Sequence, residues 1–157
     1  MKYLFNVKIF FTLVLLSLTF QGSNSHAQTI TENQPLDFGR FVLVDNAAPR
    51  RIRLLPSCSF NADPEYLFFT DPQCGSYTIT GQAPNTTLTV NITTTTMTNG
   101  GGANFVTLST FTRPNMVRTD ALGEVTFEIG ATMDSDGGGS THIDGAYNGT
   151  YTITVTP

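Results

Sequence analysis

Tryptophan is absent from this 157-residue chain, lysine ends at Lys8, and beyond residue 27 a single histidine, His142, remains. Each gap removes a class of chemistry. Past Lys8 the cations are six arginines, Arg40, Arg50, Arg51, Arg53, Arg113 and Arg118, against twelve acidic residues. The resulting net charge of −6 argues against nucleic acid, whose binding rests on a cationic surface, and against anionic membrane surfaces. A nucleophilic serine needs a nearby base. His142 is the one histidine on offer, it stands in a glycine-rich stretch, and there is no Gly-x-Ser-x-Gly elbow. Paired carboxylates can hydrolyse glycosides. Such sites usually stack sugar on aromatic platforms, tryptophan is missing, and Asp37, Asp45, Asp63, Glu65 and Asp71 read as turn and surface residues. The expectation is a protein that is not an enzyme and carries no cofactor.

The one long apolar run lies at the N-terminus. Lys2 and Lys8 precede an apolar stretch from Ile9 to Phe20, followed by the polar segment Gln21 to Ala27. Ser25 and Ala27 are small residues in the arrangement a signal peptidase accepts, so residues 1–27 read as a signal peptide cleaved after Ala27. The competing reading is an uncleaved anchor, for which the run is short, since a span needs about 20 residues. Cleavage leaves residues 28–157 as a single exported domain without a membrane span, destined for periplasm, cell surface or medium.

Cysteine is also scarce. Cys58 and Cys74 are the only two, and in an exported chain a lone pair points to a disulfide. Closing a loop of about 15 residues contributes about 3 kcal/mol in the chain-entropy picture. The alternative, a metal site, lacks partners, because there is one histidine and no third thiol.

What the chain has in abundance is alternation. From Tyr147 to Thr156, the residues Tyr147, Tyr151, Ile153 and Val155 share one face with Gly149, and Thr150, Thr152, Thr154 and Thr156 share the other. This period of two, carried by β-branched and aromatic residues, marks a half-buried antiparallel strand. Further strands are expected within Leu36 to Val44, Arg50 to Leu55, Tyr66 to Thr70, Ser76 to Gly81, Thr87 to Thr96, Phe105 to Thr112 and Gly123 to Thr132. Gln28 to Pro35 reads as a short polar lead-in, Asn99 to Gly102 as a turn, and Asp134 to Gly139 as a flexible loop. No segment beyond the signal shows a helical period. The pattern predicts an all-β, immunoglobulin-like antiparallel β-sandwich of about 7–8 strands.

Four segments, in order, resemble an exported bacterial family known as domain of unknown function 4402. They are Leu36-Asp37-Phe38-Gly39, Tyr77-Thr78-Ile79-Thr80-Gly81 ahead of a threonine-rich strand, Gly123-Glu124-Val125-Thr126-Phe127-Glu128-Ile129-Gly130-Ala131-Thr132-Met133, and Tyr147 to Val155 with its Gly149-Thr150-Tyr151. The third usually ends Gly-Gly-Thr-Leu in that family, where this chain has Gly130-Ala131-Thr132-Met133. The two cysteines and the aromatic segment between them depart from the family pattern. The resemblance implies an immunoglobulin-like exported β-domain, loosely similar to fimbrial subunits, with no activity and no catalytic residues to carry over.

Three further features are candidate sites. Asp134-Ser135-Asp136-Gly137-Gly138-Gly139, with Asp144 beyond it, superficially resembles a calcium loop. It lacks the further Asp or Asn and the distal Glu of an EF-hand, and the alternative is an acidic hairpin loop. Tyr66, Phe68 and Phe69 form either an exposed aromatic patch or a core strand. Asn85-Thr86-Thr87, Asn91-Ile92-Thr93 and Asn148-Gly149-Thr150 match glycosylation sequons, and in threonine-rich strands such matches arise by composition.

Together these readings predict a non-enzymatic exported structural or adhesion-type surface protein, fimbrial-subunit-like. Its partners would be its own copies or other surface subunits joined by strand addition at an open sheet edge. Thr29 to Pro35 is short for a donor segment and Pro35 removes a ladder donor, so a self-contained fold is expected. The alternative function is a soluble periplasmic or secreted ligand-binding module using the loops Asn99 to Ala103 and Asp134 to Ala146.

Overall fold

The computed structural model describes residues 27–94, 98–99, 106–139 and 145–157. Residues 1–26 of the signal segment, Thr95 and Thr96, Gly100 to Gly102 of the turn, Ala103, Phe105, His142 and Asp144 lie outside these residues. Among the described residues no segment is helical, and no helix is long and apolar enough to cross a membrane. The chain forms β1 (Thr29–Gln34), β2 (Arg40–Leu43), β3 (Arg51–Leu54), β4 (Phe60–Ala62), β5 (Tyr66–Thr70), β6 (Gly75–Thr80) and β7 (Thr87–Thr94). These are followed by β8 (Thr98–Asn99), β9 (Val106–Thr112), β10 (Met116–Arg118), β11 (Val125–Ser135), β12 (Tyr147–Asn148) and β13 (Tyr151–Thr156).

β11 organises the molecule. Its first half, Val125 to Ile129, pairs antiparallel with β6, which in turn pairs with β1. Its second half runs between two neighbours, because Thr132, Met133 and Asp134 pair with β3 along one edge and with β9 along the other. β4 completes that side by pairing with β3. The opposing layer consists of two separate pieces, the three-stranded sheet β10-β7-β13 and the two-stranded sheet β2-β5. Every strand pairing is antiparallel. The result is the all-β, sandwich-like fold that the alternation predicts.

Two apolar clusters fill the space between the layers. One gathers Phe38, Ile52, Leu54, Tyr66, Val106, Ala131 and Met133; the other gathers Tyr77, Ile79, Leu88, Val90, Phe127, Ile129 and Val155. Both draw on β11, and Phe111 packs against each. Seven of these side chains, Ile52, Leu54, Ile79, Leu88, Val90, Ile129 and Ala131, are wholly buried, and each of the six larger ones contributes about 1.5–3 kcal/mol of apolar burial.

Close packing explains one glycine. A Cβ on Gly130 would stand 2.1 Å from the carbonyl oxygen of Leu54, so a side chain there would push β11 off the β3 segment. A second glycine is needed for a turn. Gly123 has φ +79°, and a Cβ there would meet the Gln82 oxygen at 2.0 Å. The Asp120 carboxylate holds this turn by accepting from the backbone N–H groups of Leu122 and Glu124.

Four expectations are corrected. Gln28 to Pro35 is not a lead-in: Thr29–Gln34 is a ladder strand at a sheet edge. Only Ile30 turns inward to the second cluster, so its apolar signal is one residue. Asp134 and Ser135 belong to β11 and not to a loop. The strand read from Tyr147 to Thr156 is broken at Gly149-Thr150: β12 pairs with β8, β13 pairs with β7, and Tyr147 packs against the first cluster while Tyr151 and Ile153 pack against the second. Short strands with few inward side chains, such as Phe60–Ala62 and Met116–Arg118, raise the count among the described residues to thirteen.

Candidate interaction surfaces

The two cysteines are bonded. The Cys58–Cys74 disulfide joins the β3–β4 connection to the residue before β6. Nearby, Asp37 and Gln73 exchange backbone hydrogen bonds at 2.9 and 2.7 Å, and the Gln34 side-chain amide donates to the Cys74 carbonyl at 3.0 Å. The disulfide therefore ties β3–β4 to the start of β6, where the end of β1 is also held.

The strand between the cysteines divides its aromatic residues by alternation. Tyr66 is buried, and Phe68 packs against the same cluster, with Phe41 edge-on to both rings. Burial pushes the Tyr66 hydroxyl up to about 12, and that hydroxyl donates to the Arg50 carbonyl at 3.1 Å. Phe69 points the other way and is 69% exposed. The three aromatic residues thus do not share one surface. The outward face that does exist comprises Val42, Val44, Leu67 and Phe69, at 46%, 59%, 55% and 69% exposure. Val42 and Leu67 are cross-strand partners, and the Arg40 guanidinium lies 5.7 Å from the centre of the Phe69 ring. Sequence reasoning missed this face, because Leu36 to Val44 reads as a strand entering the core. The signal available was the alternation of Phe41 and Leu43 with Val42 and Val44.

The acidic stretch is engaged by neighbouring side chains. Arg51 Nε donates to Asp134 Oδ1 at 2.6 Å. Burial opposes ionisation of Asp134, but the bonds from Arg51 and Ser109 outweigh it and hold its carboxyl below the ordinary range. Asp136 accepts from Asn46 Nδ2 at 2.6 Å and from the Gly138 N–H at 3.2 Å. Asn46 is itself buried; its side-chain oxygen accepts from Ser135 Oγ at 2.7 Å, and its carbonyl accepts from the Gly139 N–H. The two carboxylates therefore serve different partners, and among the described residues no group of three or more His, Cys, Asp or Glu side chains is placed to hold a metal.

A groove of about 450 Å³ lies between the edges of β1 and β13, lined by Ile30, Glu32, Tyr77, Gly149, Tyr151 and Ile153, among others. Tyr77 donates its one proton to Glu32 Oε2 at 2.9 Å, and the Tyr151 hydroxyl is bonded to the Tyr77 oxygen. Burial, reinforced by these partners, drives the Tyr77 hydroxyl far above its ordinary value, and burial also raises Tyr151. This polar chain joins the two layers at their open side. It was invisible in the sequence, since its members are 45 and 74 residues apart.

No curated protein and no solved structure matches the chain. The resemblance seen in the four sequence segments extends over the whole described domain. The family profile titled domain of unknown function (DUF4402) matches residues 29–156, and the chain belongs to that family.

Proposed function

We propose that this chain is a non-enzymatic, exported structural or adhesion-type surface protein that works by contact with its own copies or with other surface subunits. The observation that carries this reading is the outward face of β2 and β5, where Val42, Val44, Leu67 and Phe69 stand together in solvent. Contiguous exposed apolar surface marks sites of association. The disulfide supports an oxidising compartment, in keeping with export. The segment considered as a strand donor, Thr29–Gln34, is folded onto β6 of its own chain, which favours a self-contained subunit.

Immunogold electron microscopy of native cells, with antibody raised against the domain, tests the reading. Gold along thin surface fibres is the expected result. Label confined to the periplasm, without fibres, overturns it and favours a soluble ligand-binding module, for which the groove between β1 and β13 is one cavity on offer.

A further inference from the structure

Open sheet edges invite pairing, and proteins blunt them with charge, proline, bulges or brevity. The edges of this molecule can be compared on those terms. β1 carries Glu32, a register shift between Glu32 and Gln34, and Pro35 just beyond. β4 and β10 have three residues each, and β10 ends in Arg118. The β2–β5 pair carries Arg40 and a register shift beside it. β9 pairs across a register shift at Thr132/Met133. β13 differs from all of these. It has six residues and no charge, its proline, Pro157, lies beyond the strand as Pro35 does for β1, and its register with β7 runs unbroken from Tyr151↔Thr94 to Thr156↔Thr89. Among the described residues β7 is its one strand partner.

We propose that β13 is an association edge, and that its occupant is the β13 strand of a second copy of this chain, antiparallel about a two-fold axis at Thr154. The inference deepens the surface-protein reading above and rests on it. Self-complementarity identifies the occupant. Thr152, Thr154 and Thr156 are exposed, whereas Ile153 and Val155 turn inward. Pairing centred on Thr154 sets Thr152 opposite the partner's Thr156 and Ile153 opposite the partner's Val155. Threonine then meets threonine on the outer face and aliphatic meets aliphatic on the inner one. A slip of one residue would turn every side chain to the wrong face. The groove supplies room for the inner pairs, because it opens beside this edge and includes Ile30 and Ile153 in its lining. The product is a continuous six-stranded sheet, two β10-β7-β13 sheets joined at their free edges, with a closed isologous interface.

The test is sedimentation of the full chain, expressed for export and purified, together with four variants. The wild type is expected to sediment at twice the monomer mass. Thr154→Lys sets two ammonium groups directly opposite each other and is expected to halve that mass while the far-ultraviolet circular dichroism keeps its β form. Thr152→Lys has a threonine opposite and is expected to remain dimeric. Under mild oxidation Thr154→Cys is expected to give a disulfide-linked dimer on a non-reducing denaturing gel, whereas Thr152→Cys stays dimeric in sedimentation and shows no such link on the gel. Should Thr154→Lys lose the β form, the trapping of Thr154→Cys decides. A dimer that survives Thr154→Lys and is not trapped by Thr154→Cys overturns the β13 edge and leaves the surface reading standing. A monomer at every concentration overturns both the edge and self-association.

Discussion

The hydroxyl of Tyr77, on β6, is hydrogen-bonded to that of Tyr151, on β13, so the two layers of the sandwich are joined by a polar contact at their open side. The Tyr77 hydroxyl in turn donates to Glu32 of β1, and one oxygen therefore fixes three strands. Tyr77→Phe keeps the buried ring and removes that oxygen. Glu32 is exposed and regains water, whereas the half-buried Tyr151 hydroxyl loses a partner. The expected cost is about 1 kcal/mol, read from the midpoint of urea unfolding. Faster amide hydrogen exchange in β1 should accompany it. A variant with unchanged midpoint and unchanged β1 exchange would show that this contact holds nothing.

The tyrosines also set an alkaline limit. Burial raises the hydroxyls of Tyr66, to about 12, and of Tyr77 and Tyr151 above the ordinary 10.0. A raised folded value means that the unfolded chain loses these protons first. Their contribution to stability is complete below pH 10.0 and is lost as pH climbs toward the folded values. On the acid side the signs reverse. Asp45, held by the Ala47 N–H and by Arg50, and Asp120, held by the Glu124 and Leu122 N–H groups, lie below the ordinary 3.8, as does Asp134. Their contribution is complete above 3.8 and disappears as pH falls below it. Melting temperature against pH should be flat between these limits and fall at both ends. Tyrosinate absorbance should rise together with alkaline unfolding. Ordinary titration of all tyrosines near pH 10 in the folded state would contradict this.

Much of the fold is legible because alternation and burial coincide. In β6, Tyr77 and Ile79 are buried while Ser76, Thr78 and Thr80 are half-exposed, and period two reads directly as a half-buried strand. Legibility fails where burial departs from that pattern. In β11 the residues from Gly130 to Met133 are all buried, with the Leu54–Leu55 backbone lying over Gly130, and β3 and β9 extend the pairing of this half-strand, so the strand runs past the point where its polar letters suggest an end. β1 shows the opposite case, with one inward isoleucine and a register shift. The exposed face of Val42, Val44, Leu67 and Phe69 was hidden because apolar letters carry no label for inside or outside.

The disulfide should matter to stability and little to shape. Cys58 and Cys74 are 16 residues apart, and in the chain-entropy picture a cross-link of that span contributes about 3 kcal/mol by restricting the unfolded chain. The Asp37–Gln73 bridge and the Gln34 bond to Cys74 remain after reduction. Replacing both cysteines by alanine should therefore lower the melting temperature while the far-ultraviolet circular dichroism keeps its β form. Equal melting temperatures for oxidised and reduced wild type would refute the assignment of stability to this bond.

Gly130 is a position where a single methyl group should do damage by close approach alone, without the strain of a positive φ. A methyl carbon there would approach the Leu54 oxygen at 2.1 Å and the Leu54 and Leu55 carbonyl carbons at 2.7 Å, all backbone atoms that cannot swing aside. Relief requires β11 to move away from β3, where Ile52, Leu54, Ala131 and Met133 share the first cluster. Gly130→Ala should cost on the order of 3 kcal/mol, at the upper end of overpacking penalties, and more than Tyr77→Phe. Thr126→Ala, on the exposed side of the same strand, serves as the comparison and should change stability by about 0.5 kcal/mol or less. Urea unfolding of the two variants separates close approach from loss of strand propensity. Similar midpoints for both would mean that β11 yields at Gly130 and that the contact with Leu54 is not a constraint on the fold.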